Sequence, residues 1–207
     1  MTNFFQGRIS EIKKKYVDFK TNPANYVDLS TVLHEDSGCI TFRKQNIEEV
    51  IGLPLLGKGA FSTVYALDEH KALKISYRED EGYSSFIEFL KQEGHKYSCF
   101  PRLYYSNEWA GDRIYIIERL EKVSEENLLD RQFLAGYCAD QVSNLKYHKK
   151  ITRVSKFINV PDELNQGIVA LMNFYKTSNN SNICFDLHGE NVLLRASGEP
   201  VIIDPFS

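Results

Sequence analysis

The sequence has no C-x-x-C pair: its four cysteines, Cys39, Cys99, Cys138 and Cys184, lie far apart along 207 residues. That spacing excludes a clustered thiolate metal site and a disulfide framework, and it points to a reducing cytoplasm. Charge of one sign is also lacking. Lys and Arg number 25 against 28 Asp and Glu, interspersed, for a formal net charge of -3, so a general phosphate-backbone binder is excluded and no nucleic-acid partner is expected. The N-terminal stretch MTNFFQGRISEIKKKY holds no uninterrupted apolar run of the kind a signal peptide needs, and no other segment approaches membrane-spanning length. A soluble cytoplasmic protein with no membrane partner is the expectation. Repeats and low-complexity tracts are missing too, which removes solenoids and arrays. What is present is 43% hydrophobic and 13% aromatic content, enough for the core of one domain, or of one domain plus an arm.

Periodicity divides the chain into three parts. Residues 1–50 form an N-terminal helical extension: a helix around Phe5 to Phe19, a loop at TNPANYVD and a short helix near Asn46 to Ile51. In residues 51–123 the pattern changes to short β-type runs, PLLGKG, STVYALD, KALKISY and RIYIIERL, around one helical stretch, SSFIEFLKQEG, with Trp109 in a hairpin. Residues 124–207 turn helical in ENLLDRQFLAGYCADQVSNLKY and PDELNQGIVALMNFYKT, where Ile168, Leu171, Met172 and Tyr175 share a face, and end in a loop and a hairpin turning at RASGEP. The fold class is α+β, a small antiparallel sheet with one helix followed by a mainly helical part.

Four features carry chemistry. In LLGKGAFSTVYA, Gly57, Lys58, Gly59, Ala60, Phe61, Ser62 and Val64 lie between two strand-like runs, so the turn can bring backbone N–H groups onto phosphates where a Cβ would block the approach. The plain alternative is an ordinary glycine turn. The aromatic, the small residue and the valine, however, also match the kinase loop G-x-G-x-x-G-x-V, with Ser62 at the third glycine. In the next strand Lys74 faces away from Leu73 and Ile75, as a solvated lysine does or as the lysine of V-A-I-K does when it reaches the α and β phosphates. Its helix partner is Glu93, which falls among Phe86, Phe89 and Leu90 on a helical wheel, with Glu88 as the alternative. Asp186 and Asn191 have the D-x-x-x-x-N spacing of a catalytic loop, suited to a base and a metal ligand. Thirteen residues later Asp204 stands where the Asp of D-F-G binds Mg²⁺. Any one of these acids alone reads as a solvated loop carboxylate, but the ordered set points to phosphoryl transfer from ATP.

On GKGAFSTVY, ALKI, CFDLHGENVLL and VIIDPFS the chain resembles protein-kinase-like phosphotransferases, and more narrowly the early-gene serine/threonine protein kinases of T-seven-type podophages, over roughly residues 50–207. The resemblance implies a kinase-like N lobe on residues 51–123, a minimal C lobe on 124–207 and transfer of the ATP γ-phosphate to Ser or Thr of host proteins in a bacterial cytoplasm. It implies Mg²⁺ on Asn191 and Asp204, Asp186 as base, and a hinge at Glu118 to Leu120 whose backbone reads adenine. Oligomeric state and autophosphorylation stay open.

The departures carry their own expectations. Cys184 and Phe185 replace the His and Arg before the catalytic Asp, which removes control by an Arg-bound phosphorylated loop. His188 stands where typical kinases have Lys and can donate to the γ-phosphate. The loop DLHGEN also resembles H-G-D-L-H-x-x-N of aminoglycoside phosphotransferases, so a small-molecule acceptor is a competing reading, and a nucleotide-binding module acting by contact is a third. Pro205 and Phe206 replace the Phe and Gly of D-F-G. The sequence stops before any activation loop or peptide-docking helix, so substrate docking is expected from the N-terminal extension, from the helices between Glu125 and Lys176, or from a dimer. The run Lys13 to Lys15 reads as a solvated helix face, and His34, His70, His95 and His148 lack metal-ligand spacing.

Overall fold

A computed structural model of the protein describes residues 3–34, 40–44, 46–76, 80–121, 136–137, 140, 162–178 and 183–207. In chain order its elements are α1 (Asn3–Thr21), β1 (Val27–His34), β2 (Ile40–Lys44), α2 (Ile47–Ile51), β3 (Leu55–Lys58), β4 (Ser62–Ala66), β5 (Lys71–Ser76), α3 (Glu81–Gln92), β6 (Leu103–Trp109), β7 (Asp112–Glu118), α4 (Asp162–Thr177), β8 (Val192–Leu194) and β9 (Pro200–Ile202). The fold is α+β, with a five-stranded antiparallel sheet in the order β3-β4-β5-β7-β6 and two-stranded ladders β1-β2 and β8-β9. No helix among the described residues is long and apolar enough to cross a membrane. The helix expected in ENLLDRQFLAGYCADQVSNLKY lies outside the described residues except at 136–137 and 140.

By internal packing the chain divides into one unit of Met1–Tyr77 with Ser106–Tyr115 and a second of Arg78–Tyr105 with Ile116–Ser207. In the first, α1 buries Ile9, Ile12 and Tyr16, one stripe at spacings of three and four, while Lys13, Lys14 and Lys15 are exposed. The Tyr16 ring lies 6.1 Å from Trp109. The Tyr16 hydroxyl donates to Asp112, and Lys20 pairs with the same carboxylate at 2.7 Å; a carboxylate only 7% exposed is tolerated because it is matched. Trp109 is buried in the β6–β7 hairpin, whose turn holds Ala110 and Gly111 at φ 49 and 88, the left-handed pair that suits a right-twisted two-residue turn. Where the sequence pattern gave only a loop and helices, a 3-10 turn at Pro23–Tyr26 leads into the β1-β2 ladder. The short helix α2 starts at a capping box made by Asn46 and Glu49.

The second unit is organised by aromatic rings. On α3, capped by the Asp80 side chain at the Tyr83 N–H, Tyr83, Phe86 and Phe89 are buried. Phe89 meets Phe100 edge-on at 4.9 Å and Phe174 of α4 at 5.5 Å. Tyr175, next on α4, lies 4.6 Å from Phe185, which is 5.1 Å from Phe206. A row of rings thus runs from α3 through α4 to the motifs FDLH and DPF, each favourable contact contributing about 0.5–1.5 kcal/mol beyond burial.

Candidate functional site

The glycine hairpin belongs to the first unit. Lys58 pairs with Thr63 and Gly57 with Val64, and the Gly59 N–H donates to the Ser62 carbonyl at 2.8 Å, closing the turn. Neither Gly57 nor Gly59 has a positive φ, so the backbone does not demand glycine there. A Cβ built at Gly57 meets nothing within 4 Å, and one at Gly59 meets only Ser62, at 3.9 Å. Lys58, Ala60 and Phe61 are exposed at the tip, Phe61 by 51%. The hairpin therefore holds room that the fold leaves unused, of the kind in which a phosphate can approach main-chain N–H groups.

Lys74 lies on β5 directly across from Val64 and is only 6% exposed. The plain reading of a solvated strand lysine is thereby corrected: the side chain points inward, where an ammonium must be matched by other groups. Gly57, Val64 and Lys74 line up across β3, β4 and β5, so glycine turn and lysine share a sheet face. The expected location of Glu93 on the buried helix face is corrected as well. α3 ends at Gln92, and Glu93 has left helical geometry at φ -132. Its side chain is 48% exposed and bonds Lys96 at 2.7 Å, lining with Tyr97, Asn165 and Phe174 a groove of about 690 Å³ beside α4. A Cβ added at the following Gly94 would stand 2.8 Å from Leu90 and 2.9 Å from Phe89 side-chain atoms. Glu88 is exposed too, paired with Lys91 at 2.8 Å.

Asp186, His188, Asn191 and Asp204 belong to the second unit, on an arch that brings them together through the backbone. Residues 184–186 run beside 205–207: the Cys184 N–H donates to Ser207 and the Asp186 N–H to Pro205, both at 2.8 Å, and the Ser207 N–H returns to Cys184 at 2.9 Å. The β8–β9 hairpin, turning through Gly198 at φ 86, pairs Val192 with Ile202, and the Ile203 N–H donates to the Asn191 carbonyl at 2.9 Å. Asp204 thus sits between a residue bonded to Asn191 and a residue bonded to Asp186. The Asn191 side-chain nitrogen donates to the Asp186 carbonyl at 2.6 Å; a carbonyl only accepts, so this fixes the amide orientation and makes Oδ1 the atom that could serve as a ligand.

His188 is oriented by the same turn. The Glu190 N–H donates to Nδ1 at 3.2 Å, and the Asn191 side-chain nitrogen lies 3.1 Å from Nε2. Nε2 stands 3.6 Å from Asp186 Oδ2, beyond hydrogen-bond length. Both side chains are roughly half exposed, at 50% and 43%, as suits groups that meet a substrate from solvent.

The donor set fits Mg²⁺. Among the described residues no group of three or more His, Cys, Asp and Glu could hold a metal. Magnesium, however, takes one or two carboxylates and completes its shell with substrate phosphates and water, so an Asn oxygen and an Asp carboxylate on one hairpin suffice.

At the end of β7, Glu118 and Leu120 are half-buried. The Glu118 N–H donates to the Arg102 carbonyl at 2.8 Å, and its carboxylate accepts from Arg195 at 2.8 and 3.0 Å and from the Arg102 N–H at 3.1 Å. Burial opposes its ionisation, but the Arg195 and Arg102 hydrogen bonds and charges outweigh it and hold the acid below the ordinary glutamate range. The Glu118 bond raises Arg195 in turn, against burial. The sequence reading did not single out Arg195, which looks like a turn residue, nor Gly82; a glycine in the first turn of a helix was the one available signal for the latter. No protein-family model matches the chain, and no curated protein sequence matches it.

Proposed function

We propose that the protein is an ATP-dependent phosphotransferase acting on Ser or Thr hydroxyls of proteins. The observation that carries the reading is the arch on which Asp186, Asn191 and Asp204 are cross-linked by two backbone hydrogen bonds, Asp186 to Pro205 and Ile203 to Asn191. Three oxygen-bearing side chains on one short frame are the minimum a phosphoryl transfer needs from this part of a protein.

Asp186 accepts the proton of the attacking hydroxyl as its oxygen bonds the γ-phosphorus and the bond from that phosphorus to the bridging β-oxygen breaks, releasing ADP. The His188 imidazole stands beside Asp186, where its ring can meet a phosphate oxygen. Within the first unit, the Gly57–Ser62 hairpin and the Lys74 ammonium are groups of the kind that neutralise phosphates; within the second, the backbone at Glu118 to Leu120 is the candidate reader of a base. Mg²⁺ held by Asn191 Oδ1 and Asp204 would supply charge neutralisation on the β and γ phosphates.

The resemblance to podophage kinases makes bacterial host proteins the acceptors to test first. Purified protein with ATP labelled at the γ-phosphate, Mg²⁺ and bacterial lysate should label Ser or Thr, and Asp186→Asn should reduce labelling at least about a hundredfold. Label on an aminoglycoside panel but on no protein would move the acceptor to small molecules. Nucleotide binding without transfer to either would sink the enzyme reading and leave a binding module.

A further inference from the structure

Arg195 follows β8 directly and takes no part in the chemistry above, yet its side chain is 15% exposed and held on every side. Its Nε–H donates to Glu118 Oε1 at 2.8 Å, Nη2 donates to Glu118 Oε2 at 3.0 Å and to the Phe100 carbonyl at 3.1 Å, and Nη1 donates to the Ser98 carbonyl. Two further connections run parallel to this fork. Glu121 and Leu194 exchange N–H to carbonyl bonds at 2.9 and 3.2 Å, and the Ile202 N–H donates to the Cys99 carbonyl at 2.9 Å. The β8–β9 hairpin is therefore fastened to residues 98–100 and 118–121, at its turn end through Leu194 and Arg195 and at its open end through Ile202. At that open end it carries Asn191 just before β8 and Asp204 two residues after β9.

A two-stranded hairpin with three residues per strand is marginal alone, so the spacing of two ligands at its open end depends on what holds it. Magnesium accepts little deviation from octahedral geometry. We infer that Arg195 is a positioning residue for the divalent metal: its fork to Glu118, Ser98 and Phe100 fixes the hairpin so that Asn191 and Asp204 are presented at a set separation. The inference rests on the phosphotransferase reading for the metal and for Asn191 and Asp204 as its ligands. Arginine is required rather than lysine because four acceptors around one plane call for a guanidinium fork, and three donors on a single nitrogen cannot span them.

The test uses the full chain with Mn²⁺ as a paramagnetic substitute for Mg²⁺, free Mn²⁺ being followed by electron paramagnetic resonance with a non-hydrolysable ATP analogue present. Arg195→Lys should weaken Mn²⁺ binding about tenfold, the lower end of what loss of a ligand-orienting group costs. Glu118→Gln should weaken it a few-fold and carries the test if the first variant does not fold. Ile12→Val, a packing variant in the buried stripe of α1, should lower the melting temperature and leave Mn²⁺ affinity unchanged. Wild-type affinity in folded Arg195→Lys, an equal loss in Ile12→Val, or no Mn²⁺ binding by the wild type would each overturn the inference. Wild-type protein that binds Mn²⁺ in the expected order of variants but transfers no phosphate would overturn the phosphotransferase reading instead.

Discussion

A Cβ added at Gly57 would meet no heavy atom within 4 Å, whereas one added at Gly82, in the first turn of α3, would stand 2.6 Å from the Phe206 carbonyl oxygen, and one at Gly167, on α4, 2.3 Å from Cys99 Sγ. None of these glycines has a positive φ, so left-handed backbone explains none of them. At Gly82 and Gly167 the missing side chain is replaced by protein: α3 lies against the DPF segment and α4 against Cys99 and Phe100. In the glycine hairpin no described protein group takes the space. The same residue type thus serves packing in one region and leaves room for a ligand in the other, and substitutions should separate the two uses.

Gly82→Ala should have the largest effect. The atoms in the way are backbone atoms of Phe206 and Ser207, which cannot rotate aside, so either α3 or the segment after Asp204 must move. A loss of about 2–3 kcal/mol in denaturant unfolding is expected, with reduced transfer per folded molecule because Asp204 is displaced. Wild-type stability would show that the contact is not close.

Gly167→Ala should cost less, about 1–2 kcal/mol, since Cys99 Sγ and the Phe100 ring are side-chain atoms that can yield. The melting temperature should fall by about 2–8 °C, and Cys99→Ala in the same chain should recover part of it. No recovery in the double variant would mean that the clash is relieved elsewhere.

Gly57→Ala and Gly59→Ala should shift unfolding by no more than about 0.5 kcal/mol and raise the KM for ATP about tenfold, as expected when a side chain stands between a main-chain N–H and a phosphate. Unchanged nucleotide kinetics in both variants would remove the phosphate-cradle role and the contrast with it.

The smallest effect concerns pH. The native state holds the Glu118 carboxyl below its ordinary range, so the ionised form is bound more tightly folded than unfolded. Its contribution is present above the unfolded value, about 4.3, and is lost as pH falls through the lower native value. Glu118→Gln should flatten that acid limb of a stability-against-pH curve. A limb of unchanged slope would assign acid sensitivity to other carboxylates, such as Asp68, which the His70 N–H and Lys71 hold low against burial.

The sequence by itself determined the features that depend on near neighbours. Alternation placed β4, β5 and β7 within the runs STVYALD, KALKISY and RIYIIERL, and the 3.6-residue period placed α3 and α4. Spacing within short motifs marked Asp186 with Asn191 and the hairpin after them. These are local because strand pleat, helix period and turn chemistry act over a few residues. Only the tertiary structure decided that Lys74 is buried, that Glu93 turns outward to Lys96, that Gly82 is filled by the Phe206 backbone and that Arg195 grips a carboxylate 77 residues away. Each of those outcomes depends on which distant segment arrives at a surface, and a periodic pattern names the face of an element without naming its neighbour.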